Sequence, residues 1–336
     1  MPTKTGKQTL ELRSRPSVAG YAAFVGKKEG EGPLASYFDK IFDDDTLGEA
    51  TWEKAESLMQ KETLNTALQK AGITPDEVDF VFAGDLLNQC IGSTFGLRDF
   101  GIPFAGLYGA CSTMSLSLGL AAIFVDSGAA NCTAAVTSSH FCSAERQFRY
   151  PLEYGGQRPP TSQWTVTGAG AVVVASESNG PVIQSVTFGK IVDLGITDSN
   201  NMGAAMAPAA ADTIKTFFDD TQTQPSDYDL ILTGDLGIVG SRLLTELLLW
   251  DGIDITGLHN DCGLLIYDLE KQDVHAGGSG CGCSAAVLCS YILSKLKEGS
   301  LNNILFCATG ALMSPTSSQQ GETVPGIAHL VHIMSK

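Results

Sequence analysis

Cys111 stands in a setting that suits thiol chemistry. It follows Gly109-Ala110, with Gly101-Ile102-Pro103 and a few apolar residues upstream, and Ser112-Thr113-Met114 then open a long apolar helix. A thiol at a helix N-terminus meets unpaired backbone N–H groups and the positive end of the macrodipole, both of which favour the thiolate. A nucleophile or an anion-facing corner is expected there. A working thiol nucleophile also needs a base and an oxyanion hole. Two histidines offer the first role. His259 lies 148 residues on, in the polar segment Leu258-His259-Asn260-Asp261-Cys262, and His275 precedes the run Ala276-Gly277-Gly278-Ser279-Gly280. The bland alternative for each is a cysteine packed as a small hydrophobe or a structural histidine.

The elements that must position these residues repeat. Pro75-Asp76-Glu77-Val78-Asp79 leads into an apolar run ending at Gly84-Asp85-Leu86. Pro225-Ser226-Asp227-Tyr228-Asp229 leads, 150 residues later, into a second ending at Gly234-Asp235-Leu236. Short continuous apolar runs bounded by turn signals read as strands buried on both faces. A second pair lies 171 residues apart: the helix after Cys111 reaches Asp126-Ser127-Gly128 and the strand Thr133 to Thr137, and the helix after Gly282 reaches Glu298-Gly299 and the strand Ile304 to Ala308. Glycine at each helix end is the expected left-handed cap. The alternation predicts an α/β fold of two duplicated halves, each with a mostly parallel sheet, split as residues 1–185 and 186–336. The first half carries Cys111, and the second carries His259 and His275. The second offset exceeds the first by 21 residues, which places an insertion containing His259 in the second half.

Composition narrows the function classes. The 336 residues carry 21 basic and 37 acidic side chains, a net charge of -16 that repels nucleic acid and anionic lipid. Any membrane association is therefore expected to run through protein partners. An anionic ligand would need a local device such as a helix N-terminus or a chelated cation. The N-terminal residues show no signal-peptide pattern, and the most apolar helix, Leu116 to Val125, is too short to span a bilayer. Nine cysteines at irregular spacing point to reduced thiols.

These residues resemble the thiolase and ketoacyl synthase superfamily. Gly84-Asp85-Leu86-Leu87-Asn88-Gln89-Cys90 is similar to the Gly-x-Val-Leu-Gln-Ala-Gly loop of thiolases. Cys111 falls at the acylated nucleophile, His259-Asn260 at the segment that binds a thioester oxygen, and His275 to Gly280 at the segment opening the matching helix of the second half. The resemblance implies a five-layer αβαβα fold and a dimer formed through the sheet near the nucleophile. Within the superfamily the chain looks like the stage V sporulation branch of spore-forming Firmicutes. The stretches that carry this are Tyr108 to Met114, Ser138 to Pro151, Gln157 to Gly168, His259 to Gly263, Asp273 to Cys283, Ser314 to Ser317 and Pro325 to Ala328. That branch implies a non-catalytic protein that binds dipicolinic acid (pyridine-2,6-dicarboxylate), free or as its calcium chelate, and helps load it into the spore. It further implies stage V membrane-protein partners and a peripheral place on the cytoplasmic face of the forespore inner membrane. No organic cofactor is expected and no resident metal.

On that reading Cys111, His259, Asn260 and His275 would face the ligand, with Asp85 and Asn88 as polar walls and Asp85 able to reach a chelated Ca²⁺. Departures from the enzymes weigh against catalysis. Val274-His275-Ala276 stands where thiolases have Gly-His-Pro, and Cys307-Ala308-Thr309-Gly310 only loosely echoes their second reactive cysteine, with Cys307 reading as a core strand residue. The rival reading is an acyltransferase or condensing enzyme acylated on Cys111; a third is a scaffold with a vestigial pocket. Cys281-Gly282-Cys283 lacks zinc spacing and reads as packing. Asp43-Asp44-Asp45 reads as a solvated loop. His329 and His332 are separated by an odd number in a strand and face opposite sides. The segment from Glu145 to Pro160 reads as a dimer or lid loop.

Overall fold

The runs that end at Gly84 and Gly234 are central strands of one long mixed sheet. The computed structural model describes residues 1–148 and 158–336, so part of the segment from Glu145 to Pro160 lies outside the described residues. The first half contributes β1 (Ser17–Val25), β2 (Phe80–Gly84), β3 (Phe104–Gly106), β4 (Cys132–Ser139) and β5 (Gly168–Ala175). The second contributes β6 (Val182–Thr187), which begins four residues before the expected boundary at 185/186, then β7 (Leu230–Thr233), β8 (His259–Asp261), β9 (Asn303–Ala311) and β10 (Gly326–Met334). Their order across the sheet is β8-β7-β9-β10-β6-β1-β5-β4-β2-β3, a sequence that reads the same from either end once halves are exchanged. The duplication is therefore real. Between β1 and β6 the halves meet at a single antiparallel pair, Ser17 with Val182.

Each half is mixed rather than mostly parallel. β2 runs parallel to β3 and β4, as β7 does to β8 and β9, but β5 and β10 run antiparallel to β4 and β9. The reason is the connection: β9 returns to β10 through the short segment 312–325, with no crossover helix of the length that parallel pairing requires.

Helices complete the layers. α1 (Trp52–Ala71) and α2 (Ile91–Leu97) cover the outer face of the first half. α3 (Thr113–Asp126) follows the Cys111 turn, and α4 (Phe141–Phe148) follows β4. α5 (Met202–Thr221) and α6 (Gly237–Trp250) cover the second half, and α7 (Cys281–Val287) matches α3. Thr51 and Asn201 cap α1 and α5, their side chains accepting from Lys54 N at 3.3 Å and Ala204 N at 3.4 Å. Gly128 adopts the left-handed conformation just past α3, and Gly299 does so at the end of the helical run that continues from α7 through Glu298, as their positions required.

α3 and α7 lie in the middle layer, where Met114, Leu118, Ala122 and Val125 pack in one cluster with Cys283, Ala286 and Val287. Each large apolar side chain buried there contributes roughly 2 kcal/mol. The five layers place the N-terminal ends of both central helices together, between the two half-sheets. All nine cysteines are free. Among the described residues no helix is long and apolar enough to cross a membrane.

Candidate functional site

Gly109 and Ala110 make a tight elbow. Ala110 takes a left-handed φ of 48°, unusual for a residue with a side chain. The elbow is tied by Ser112 Oγ to Gly109 O at 2.6 Å and by Thr113 Oγ1 to Ala110 O at 2.6 Å. β9 accommodates it at Gly310, where an added Cβ would stand 2.5 Å from Gly109 O. The helix itself begins at Thr113, two residues past Cys111.

The thiol is 5% exposed and faces the second half, where it hydrogen-bonds the Asp235 carboxyl. This reverses the expectation of a stabilised thiolate. Burial pushes the Cys111 thiol well above its ordinary value, and the Asp235 charge and hydrogen bond push it further. Asp235 is fully buried. It accepts from Gly280 N at 2.9 Å, Ser279 Oγ at 3.2 Å and Thr309 Oγ1 at 2.8 Å. Burial raises its carboxyl to about 6 against these donors. Asp261 lies behind it and accepts from Thr233 Oγ1, Leu236 N, Gly237 N and Gly263 N at 2.7 to 3.0 Å. Burial, with the Asp235 charge beside it, lifts Asp261 to about 7.

In front of Cys111 opens a small cavity of about 40 Å³. Leu86, Ala144, Phe148, Met202, Ala311 and Met313 form its apolar wall; Tyr108, Cys111, Glu145, Thr165 and Ser279 are its polar groups. Both halves contribute. Among the described residues no lysine, arginine or histidine lines it, and Glu145 is its charged side chain.

Of the six residues singled out from sequence, Cys111 lines this cavity and the other five lie elsewhere. His259 is on the edge strand β8, its Nε2 2.8 Å from Thr233 Oγ1, and burial lowers its imidazole to about 4. Asn260 accepts from Asp261 N at 2.8 Å. His275 is partly exposed at a left-handed φ of 49°, with Nε2 3.5 Å from Asp273. Asp85 turns into its own half and accepts from Leu87 N, Ser93 N and Ser93 Oγ at 2.9, 2.7 and 2.6 Å. Asn88 is exposed beside Gln147, on the rim of a separate surface hollow.

Sequence reasoning missed Asp235, Asp261, Glu145 and Ser279. The signal for Asp235 was present, since it is the repeat partner of Asp85. Also missed was Glu56 on α1, buried behind α4, with its Oε1 and Oε2 taking hydroxyls from Ser138 and Ser143, each at 2.9 Å.

A duplicated five-layer sheet sandwich with a cysteine elbow at the meeting of two central helices defines a thiolase-like fold. Solved structures share the architecture: 3-oxoacyl-[acyl-carrier-protein] synthase III from Aquifex aeolicus VF5 matches with TM-score 0.56 at 14% identity, over 95% of this chain and 99% of that one. A variant of OleA from Xanthomonas campestris matches with TM-score 0.59 at 14% identity, over 95% of this chain and 98% of that one. At this identity the likeness concerns the fold alone. The family model for stage V sporulation protein AD (SpoVAD) matches residues 6–334. Stage V sporulation protein AD of Bacillus subtilis (strain 168) is 50% identical over 325 residues, 97% of this chain and 96% of that protein. The chain belongs to the stage V sporulation protein AD family.

Proposed function

We propose that the cavity beside Cys111 is a non-catalytic binding site for dipicolinic acid, taken up as its calcium chelate for loading into the developing spore. One observation carries the non-catalytic part. The thiol is held protonated against a buried carboxyl, and no imidazole among the described residues lines the cavity to take its proton. The carboxyls near the cavity favour the chelate: Glu145 faces it, accepting from Thr165 Oγ1 at 3.2 Å, and Asp235 lies behind the thiol, and both oppose a free dianion. In the chelate Ca²⁺ cancels the two carboxylates, and Glu145 supplies the oxygen ligand that Ca²⁺ prefers. The apolar wall suits the flat pyridine ring.

The chain would work as a homodimer joined along the open edge of β3, where Ile91, Phe95, Phe104 and Tyr108 are exposed. It would sit peripherally on the forespore inner membrane through stage V membrane-protein partners, since its own charge repels anionic lipid.

Calorimetry tests the ligand. Binding of calcium dipicolinate that weakens in Glu145→Gln and Ala144→Leu supports the reading; no heat with dipicolinate, with or without Ca²⁺, sinks it. The left-handed elbow at Ala110 favours one rival, an enzyme acylated on Cys111. Intact mass after exposure to acyl thioesters decides, through an adduct that Cys111→Ala abolishes.

A further inference from the structure

Glu56 takes no part in lining the cavity, yet it is tied to the helix that does. Ser143, whose hydroxyl donates to Glu56 Oε2, sits in the first turn of α4, and the next residues of α4, Ala144, Glu145 and Phe148, form cavity wall. Ser138 at the end of β4 donates to Oε1. One turn further along α1, the Gln60 amide nitrogen donates to Ser93 Oγ and Ser138 Oγ at 2.9 and 2.8 Å, while its Oε1 is buried with no partner.

A second carboxyl crowds the first. A Cβ built on Gly92 would lie 3.2 Å from Asp85 Cγ and 3.5 Å from Glu56 Cδ, so both carboxyls rest against one glycine. Two buried carboxyls resting against one glycine oppose each other's ionisation. Asp85, with two backbone N–H groups and a hydroxyl donating to it, is the one built to hold the charge. A proton on Glu56 removes the repulsion.

We infer that Glu56 is a positioning residue of the cavity, a carboxyl that must keep its proton for α4 to stay docked, so that deprotonation loosens the cavity wall. Its role in ligand capture rests on the reading of the cavity given above; its control of α4 does not. Burial, and then the Asp85 charge, raise Glu56 to about 8 against the Ser143 and Ser138 hydroxyls. The other ionisable groups around it are accounted for. Glu53 lies one turn earlier on α1 and pairs with Arg146 of α4. Cys281 at the start of α7 is pushed well up by burial and stays neutral. His140, just before α4, is lowered by burial and bonds Asp45 O. None of these gains a charge between neutrality and the alkaline range where Glu56 ionises.

Hydrogen exchange on the full chain without ligand tests the inference. After correction for the intrinsic base-catalysed rate, α4 protection should fall roughly tenfold per pH unit as pH rises from about 5 to about 8 and then level off, because opening releases the proton that the docked Glu56 holds. Glu56→Gln, which carries a permanent amide donor, should keep α4 protected throughout. Protection of α4 that ignores pH, or a Glu56→Gln curve that follows the wild type, overturns it. Should Glu56→Gln fail to fold, Ser143→Ala removes only the hydroxyl link: loss of α4 protection below pH 8 with α1 unchanged supports the inference, and unchanged α4 overturns it. Calorimetry with calcium dipicolinate adds a separate arm. Affinity that falls as pH rises toward about 8 in the wild type but not in Glu56→Gln supports the link to capture. An absence of heat in both proteins counts against the ligand, while the exchange curves still decide the fate of the α4 link.

Discussion

Gly84-Asp85 and Gly234-Asp235 end equivalent central strands, yet their carboxyls do opposite work. Asp85 turns back on its own half and ties down the start of α2 through Leu87 N and the Ser93 amide and hydroxyl. Asp235 faces the meeting of the halves and holds Gly280, Thr309 and Cys111 together. The difference comes from the neighbouring helix. In the first half, left-handed Gln89 and Cys90 delay α2 and fold Ser93 over Asp85. In the second, α6 starts at once, and its leading Leu236 and Gly237 N–H groups are taken by Asp261 instead. Asp261 thereby frees Asp235 for the cavity. A duplicated motif can keep its strand end and change its job when another acceptor relieves it of capping.

Removing each carboxyl gives the sharpest contrast. Asp235→Ala leaves several buried donors without an acceptor and should cost about 4 kcal/mol in urea unfolding. Asp85→Ala also loses donors but relieves the repulsion with Glu56, so about half that cost is expected. Equal losses would break the comparison. The pH dependence comes next. Burial raises Asp235 to about 6 and Asp261 to about 7. The folded chain therefore keeps protons that the unfolded chain releases near pH 4, and this stabilisation is full below about 4 and lost as pH rises through 6 and 7. Asp261→Asn should flatten that fall by on the order of 2 kcal/mol in denaturant midpoints followed across the range. A smaller effect concerns reactivity: Asp235→Asn removes the charge that opposes the Cys111 thiolate, and iodoacetamide should label Cys111 about tenfold faster. Smallest of all, Glu145→Gln should leave stability within about 0.5 kcal/mol while weakening the calcium chelate, as read by melting with and without ligand.

Much of this was legible in residues. The Gly-Asp repeat, the glycine caps and the two matched helices located both halves, and Gly109-Ala110-Cys111 located the elbow. The site partners were harder to see. In strand β8 alternate side chains share a face, so His259 and Asp261 both reach Thr233, but the strand advances about 7 Å between them. That advance brings Asp261, and not His259, up to Asp235. Motif order carries no such depth. The extra length of the second half likewise lies mostly after His259, in the segment from Cys262 to Ser279 that leads to α7, so insertion was a poor guide to which histidine would matter. Parallel and antiparallel strands looked alike because a strand buried on both faces reads as the same apolar run in either direction. Glu56 left no signal at all, since a lone acidic residue on an amphipathic helix looks solvated until its neighbours are known.

The cavity takes Cys111 and Leu86 from one half and Ser279, Met202 and Met313 from the other, while β1 and β6 join across the sheet at the Ser17–Val182 pair. Such a site has no meaning in a partly made chain. Its contacts close over long sequence separations, which places it among the slow, late events of folding. A chain halted after its first half would present the cysteine elbow with no floor beneath it, so the closed cavity itself marks that synthesis and docking of the second half are complete.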